Sequence, residues 1–443
     1  MKMRSTTTYA WIVAALALCA AALWPAFVKQ REDAARAASL PTAAPITADY
    51  LDRDRTIAFW EGMVRKRVAD DMLSPRQLSF QYLQRYREHA DIDDVLRARR
   101  MAELSLQKQP RSNMGAQIAL ASVELTLHQF KAALRETRRI ESLDPAPEMR
   151  MREASLDLEI GDYTGAKRII DRLPPRKRLD ISRDTLVARY DELTGHLASA
   201  RELFEQATAD ANSVLDTPAQ QRAWFFFRSG ELAFEAGDND AALADEDRAL
   251  ALFPNYAEAN RLKAKFACAL KRWQVCRDAA AASAGVVPYP ETLGYQEDAE
   301  RALGAGADAG RIADLIVTIE RIGNAQRISD RLLAIYYAEH RIRTADAYRI
   351  ARRELAVRDD IFTEDTLAWA AAADGRWHEA RVAERKALRF DTEISLLQYH
   401  AGIIALHFGD RAEAKRRLER ALALNPSFHP NYADDARARL ARL

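Results

Sequence analysis

The stretch Ser395–Pro426, SLLQYHAGIIALHFGDRAEAKRRLERALALNP, decides the fold. Its apolar residues recur at helical spacing, pause at Gly409-Asp410, and resume until Asn425-Pro426 stops them. That is a helix, a tight turn and a second helix. Small residues stand at Gly402, Ala414 and Ala421, where two antiparallel helices must approach closely. A pair of amphipathic helices cannot bury its apolar face alone, so the pattern calls for neighbours.

The neighbours are upstream. Gly375 precedes Gly409 by 34 residues, with Trp377, Ala380 and Ala387 behind it. Gly161 and Gly195 are again 34 apart, followed by Tyr163/Ala166 and Leu197/Ala200. Gly237 has Gly230 before it and Ala242, Ala249 and Pro254 after it. Lys271 replaces the turn glycine one unit later, followed by Trp273, Cys276 and Pro288. His128-Gln-Phe130 with Ala133 and Pro145 supplies another unit. The spacing from Gly195 to Gly237 is 42, which predicts a longer loop over Ala209–Gln220. Units near 291–325 and 326–360 are degenerate: Gly304–Gly310 reads as a loose turn, and His340-Arg-Ile342 stands in for the glycine turn.

This register resembles the tetratricopeptide repeat over roughly four-fifths of the chain. The C-terminal part also looks like bacterial, membrane-tethered members of that family with no settled activity. The resemblance implies an all-α, right-handed superhelical solenoid of about ten helix pairs, whose first helices line a concave groove. The chain then divides into an anchor (1–28), a linker (29–52), a leading helix (53–78), the array (79–428) and a capping helix (429–443).

The anchor is read from Tyr9–Val28, YAWIVAALALCAAALWPAFV, which has no charge and is long enough to span a bilayer core. Tyr9, Trp11 and Trp24 suit the membrane interfaces. A cleaved signal peptide is the rival reading. A short N-tail ahead of an uncleaved span predicts an inner-membrane tether with the array outside the cytoplasm.

The stretch Arg222–Phe234, RAWFFFRSGELAF, carries the functional expectation. Four consecutive rings sweep roughly 300° of a helix, while one core stripe covers a little over 100°. Phe226 is expected in the core and Phe225 against the adjoining helix. Trp224 and Phe227 are expected in the groove, continued by Glu231 and Phe234. Arg189, Arg261 and Lys265 flank this ledge, and Tyr337, Trp369, Tyr399 and His407 form a second patch. The expected partner is a protein or extended peptide, with groove pockets for side chains and charges fixing register. The companion asparagines of the family's carboxylate clamp are missing.

Other chemistry is sparse. A net charge of +1 gives no basic footprint for nucleic acid. There is no phosphate loop, zinc-protease helix, nucleophile elbow or paired-cysteine metal motif, so no catalytic residue, cofactor or metal is expected. Asp245, Glu246 and Asp247 read as an exposed, solvated face. Cys268 and Cys276 read as two small buried thiols, with a disulfide only in an oxidising compartment. The expected function is a non-catalytic scaffold at the cell envelope. The alternatives are a glycan-associated subunit of an export or assembly system and an enzyme of unrecognised type.

Overall fold

The computed structural model describes residues 52–214, 217–325 and 331–443. Among them are 22 α-helices and no strand. The expected membrane span and its linker lie outside the described residues. Among those described, no helix is long and apolar enough to cross a membrane.

A leading helix α1 (Arg53–Arg65) is followed by helices joined through short turns. In chain order these are α2 (Leu73–His89), α3 (Ile92–Lys108), α4 (Met114–Thr126), α5 (Phe130–Leu143), α6 (Pro147–Ile160), α7 (Tyr163–Ile170), α8 (Ile181–Leu193) and α9 (Leu197–Ser213). Then come α10 (Ala219–Glu235), α11 (Asn239–Leu252), α12 (Ala257–Ala269), α13 (Trp273–Ala284), α14 (Pro290–Ala302), α15 (Gly306–Ala325), α16 (Arg331–Glu339) and α17 (Thr344–Glu354). The last are α18 (Ile361–Ala373), α19 (Trp377–Ala387), α20 (Ser395–His407), α21 (Arg411–Leu424) and α22 (Tyr432–Leu440). The fold is tetratricopeptide-like.

The small residues do what close helix packing requires. A Cβ on Gly402 would lie 2.8 Å from the Leu418 side chain, and Ala414 and Ala421 are fully buried. The turn glycines Gly161, Gly195, Gly237, Gly375 and Gly409 all have φ between +76° and +88°, which ends the first helix without steric cost. Where the glycine is replaced, His128, Lys271 and Arg341 adopt the same left-handed backbone.

Two expectations are corrected here. Ala209–Gln220 is no long loop: the extra residues lengthen α9 and α10 to 17 residues each. Gly304 makes a turn at φ +85°, but Gly306 and Gly310 belong to the 20-residue α15.

The chain parts into two compact units. Of the described residues, one holds those up to Asp157 with Thr164–Arg183 and those of Ala209–Arg222. The other holds Leu158–Tyr163, Asp184–Thr208 and Ala223–Leu443. In the first, Ile57 and Trp60 of α1 pack with Leu78, Tyr82 and Leu83 of α2 and with Val95 and Ala98 of α3.

The second unit closes on itself through three turn-on-turn contacts. The Asp359 N–H donates to Ile160 O at 3.1 Å, and the Ile361 N–H donates to the Tyr163 hydroxyl at 3.1 Å. The Thr392 hydroxyl donates to Leu193 O at 2.8 Å, while the Leu197 N–H is capped by the Glu393 carboxylate at 3.1 Å. Asn425 Nδ2 donates to Phe234 O at 2.7 Å. Ile160, Leu193 and Phe234 lie in the last turns of α6, α8 and α10, where carbonyls lack helical partners. The turn glycines admit this approach: a Cβ on Gly161 would stand 2.1 Å from Asp359 O, and one on Gly237 2.5 Å from Leu424 O.

Gly161 and Gly409 separate backbone strain from closure. Both have positive φ, but a Cβ on Gly409 meets nothing within 4 Å. Gly409→Ala should cost about 1 kcal/mol, the left-handed penalty alone. Gly161→Ala should cost about 3 kcal/mol, because the docked turn must also move. Equal losses in urea titrations of the two variants would show that the turn at 358–361 is not seated on Gly161.

Candidate ligand-binding interior

The four adjacent rings pack inside the protein. Phe225 and Phe227 are buried; Trp224 and Phe226 are half-buried. Trp224 meets Phe204 and Phe225 at 5.7 and 5.0 Å between centroids. Phe227 sits edge-on to Tyr256 at 5.8 Å, and Phe234, 1% exposed, stacks on Phe266 at 4.3 Å. Phe225 does meet the adjoining helix, at 5.9 Å from Phe204 of α9, while Phe226 is only half-buried against the core, and Phe227 and Phe234 form no groove ledge. A fully buried ring removes apolar area worth roughly 2–3 kcal/mol from water, so the rings take the core side and the adjacent polar residues take the other face.

The polar face runs one residue further round α10 than the expected ledge: Arg228 and Glu231, half-buried, and Glu235, buried, at helical spacing. The Glu192 carboxylate of α8 is shared by Arg189 at 2.8 Å and Arg228 at 2.6 Å, and Arg228 also pairs with Glu231. On α12, Arg261 bridges Glu258 at 2.9 Å and Glu291 of α14 at 3.1 Å. Despite burial, these two carboxylates hold the Arg261 guanidinium above its ordinary pKa. Lys265 is only 4.0 Å from Glu235 and lies over the Phe234 ring at 5.7 Å. The flanking cations Arg189, Arg261 and Lys265 therefore sit on the polar face, each with an acidic neighbour from the chain itself.

Further round the second unit, Arg189 and Arg331 both approach the Phe362 ring, at 5.6 and 5.9 Å. Burial, then the neighbouring Arg358, lowers the Arg331 pKa.

The second expected patch does not assemble. Trp369 and Tyr399 are in contact at 6.0 Å but buried. Tyr337, 1% exposed, donates its hydroxyl to Glu320 at 3.1 Å. His407 is exposed and stacks on Trp377 at 3.8 Å.

Trp369 and Tyr399 instead join a cluster around Tyr432 of α22, whose His400, His429 and Tyr432 were missed in the sequence. His429 stacks on the Tyr432 ring at 4.0 Å, Tyr399 at 4.7 Å, and Trp369 and His400 approach at 5.5 and 6.2 Å. The Tyr432 hydroxyl donates to Glu339 O at 3.4 Å. His429 Nδ1 accepts the N–H groups of Asn431 and Tyr432, both at 3.2 Å, capping α22. Burial, then His400, His340 and Lys265, press the His429 pKa down to about 3. Burial raises Glu339 to about 8, helped by Glu291 and Asp298 and opposed by His340 and Lys265. His340 rises to about 9 against its burial, chiefly through its bond to Asp298 at 3.1 Å. His400 pairs through Nδ1 with Asp365 at 2.9 Å. No sequence motif marked this cluster; only the helical spacing of Asp365/Trp369 and of Glu291/Tyr295/Asp298 hinted at shared faces.

Two further expectations are revised. Cys268 and Cys276 are fully buried but bonded as a disulfide, joining α12 to α13 across the Lys271 turn. Glu246 is fully buried, whereas Asp245 is half-buried and Asp247 exposed. It lies where Gly230 leaves room, 2.6 Å from a Cβ placed there. Among the described residues, no group of three His, Cys, Asp or Glu is placed to hold a metal.

No family model matches this chain, and no curated protein matches it. Among solved structures, yeast Tom70 is similar over 88% of this chain and 92% of that one, at 12% identity and a TM-score of 0.34. A monomeric variant of IFIT1 with m7Gppp-AAAA covers 76% of each chain, at 13% identity and a TM-score of 0.47. Scores this low leave the fold to rest on the helix pairs and turns of this chain.

Burial raises the Glu246 pKa well above its ordinary 4.5. The unfolded carboxyl ionises above that value while the folded one resists, so stability falls as pH rises through it. Glu246→Gln should therefore raise the melting temperature at pH 8 and leave it nearly unchanged at pH 4. A gain equal at both values would remove the charge argument.

Proposed function

We propose that this chain is a non-catalytic binding scaffold whose recognition surface is the polar interior of its second unit. The observation that carries this reading is the division of labour on α10: rings packed into the core, and a polar face of half-buried Arg228 and Glu231 with buried Glu235. Such a face selects by charge and hydrogen bonding, and suits a polar partner segment better than apolar anchors. The closure of the unit pre-organises it, so little ordering entropy is lost on binding. Crosslinking in native membranes tests it. A photoreactive residue at 231 should capture a partner, and one at 227 should capture none. Capture from 227 alone would restore the apolar ledge; capture from neither would end the reading.

We also propose that residues 9–28 tether the scaffold to the inner membrane with the array outside the cytoplasm. The Cys268–Cys276 disulfide supports this, since such bonds persist in oxidising compartments. Rapid alkylation in denaturant, on lysis of the native cells, should leave both cysteines unmodified. Modification of either one would argue for a reducing location.

A second reading, an enzyme of a type its motifs do not reveal, draws on the Asp365–His400 pair and on Glu339. A buried carboxyl raised as Glu339 is belongs to the kind of group that gathers at functional sites.

A further inference from the structure

The cluster around Tyr432 is built of groups whose hydrogen-bonding capacity the protein leaves unspent. His400 is 2% exposed, and its Nδ1 faces the Asp365 carboxylate at 2.9 Å. A carboxylate accepts only, so Nδ1 carries a proton and Nε2 is the ring position left over. That Nε2 is buried without a protein partner. His429 spends Nδ1 on capping α22, which leaves its Nε2–H as a donor. The Glu339 side chain makes no hydrogen bond within the described structure, although its backbone carbonyl accepts from Tyr432. Lys265 reaches Glu235 at 4.0 Å, too far for a hydrogen bond, and its side chain is 24% exposed, so solutes in water reach it. Leaving a buried polar atom unmet disfavours the fold, a reason to expect a ligand there.

We propose that this cluster binds a small solute carrying an oxyanion beside a hydroxyl. Lys265, the Glu339 carboxyl and the His429 Nε2–H meet the oxyanion; His400 Nε2 pairs with the hydroxyl. The rings of Tyr432 and Trp369, set edge to face, form its aromatic wall. The inference rests on the interior of the second unit being the recognition surface, and it names what that surface takes. Carboxylate and phosphate share this chemistry.

The geometry makes Glu339 a donor only while it holds its proton. It faces Glu291, Tyr295 and Asp298 from α14, Lys265 from α12, Tyr432 from α22, and its neighbour His340. Burial and the two carboxylates keep that proton up to about pH 8. Binding should thus weaken as pH rises from 7 to 9.

Calorimetry on the full chain decides it, with glycerate as the hydroxy-carboxylate probe and glycerol 3-phosphate as the hydroxy-phosphate probe. One of the two should bind with a dissociation constant below about 1 mM, and propionate, which lacks the hydroxyl, at least about tenfold more weakly. Lys265→Met should weaken binding at least about tenfold, and Lys265→Arg should retain most of it. Glu339→Gln should bind at pH 7 and lose the weakening at pH 9. Melting curves of the variants establish that each is folded. No binding of either probe by the wild type, or equal binding by folded Lys265→Met, would overturn the proposal. If crosslinking from residue 231 still captured a partner, the scaffold reading would survive that failure.

Discussion

The structure of the second unit depends on how its helix ends are satisfied. An α-helix leaves its last carbonyls without intrahelical donors, and in a repeat array these ends lie in rows. Here one row, at the ends of α6, α8 and α10, receives donors from turns nearly 200 residues later: the Asp359 N–H, the Thr392 hydroxyl and the Asn425 amide. Each contact requires two backbones to meet. The glycines at 161, 195 and 237 permit this because they carry no Cβ at the point of approach. Their positive φ ends a helix, and their missing side chain seats a distant turn. One residue type therefore meets a local and a long-range constraint at the same position.

Closure changes what the inner face can be. An open solenoid can leave apolar rings in a groove for a partner, but rings in a closed unit are worth more against the next helix. Phe227 against Tyr256 and Phe234 against Phe266 follow that preference. The polar residues on the other face are charged and pair in chains: Arg189–Glu192–Arg228–Glu231, then Glu258–Arg261–Glu291. Buried pairs of this kind add little net stability, since desolvation offsets most of their attraction. Their effect is to fix one arrangement of donors and acceptors.

The helix pairs, the turn positions and their tolerated replacements were legible in the sequence because each follows from local rules: period, small residues and left-handed turns. His128, Lys271 and Arg341 show how far those rules reach. The inner face was not legible, because residues 227 and 228 differ by one position on a helix whose stripe spans about 100°. Choosing between them needs the neighbours. Glu246 was misread for a related reason: an acid in a run of acids looks solvated until the facing Gly230 is known to leave space for it. The disulfide was left undecided by spacing alone, since eight residues fit both a bonded pair and two separate thiols.

The Tyr432 cluster lies furthest from local reading. His429 and Tyr432 belong to the cap and its lead-in, His400 to the last pair, Glu339 to a pair whose repeat signature had decayed, and Lys265 to one with intact spacing. A capping helix needs only a polar outer face and an apolar inner one. This cap instead brings a neutral imidazole and a phenol to the inner side, where His400 and Glu339 have capacity to spare. A cap selected for stability alone would be expected to bury apolar groups there, because each unmet polar atom subtracts from folding. The polar choice is therefore the feature that distinguishes a lining from a lid, and it is why the end of the array, more than the aromatic run at its centre, is where recognition is best sought.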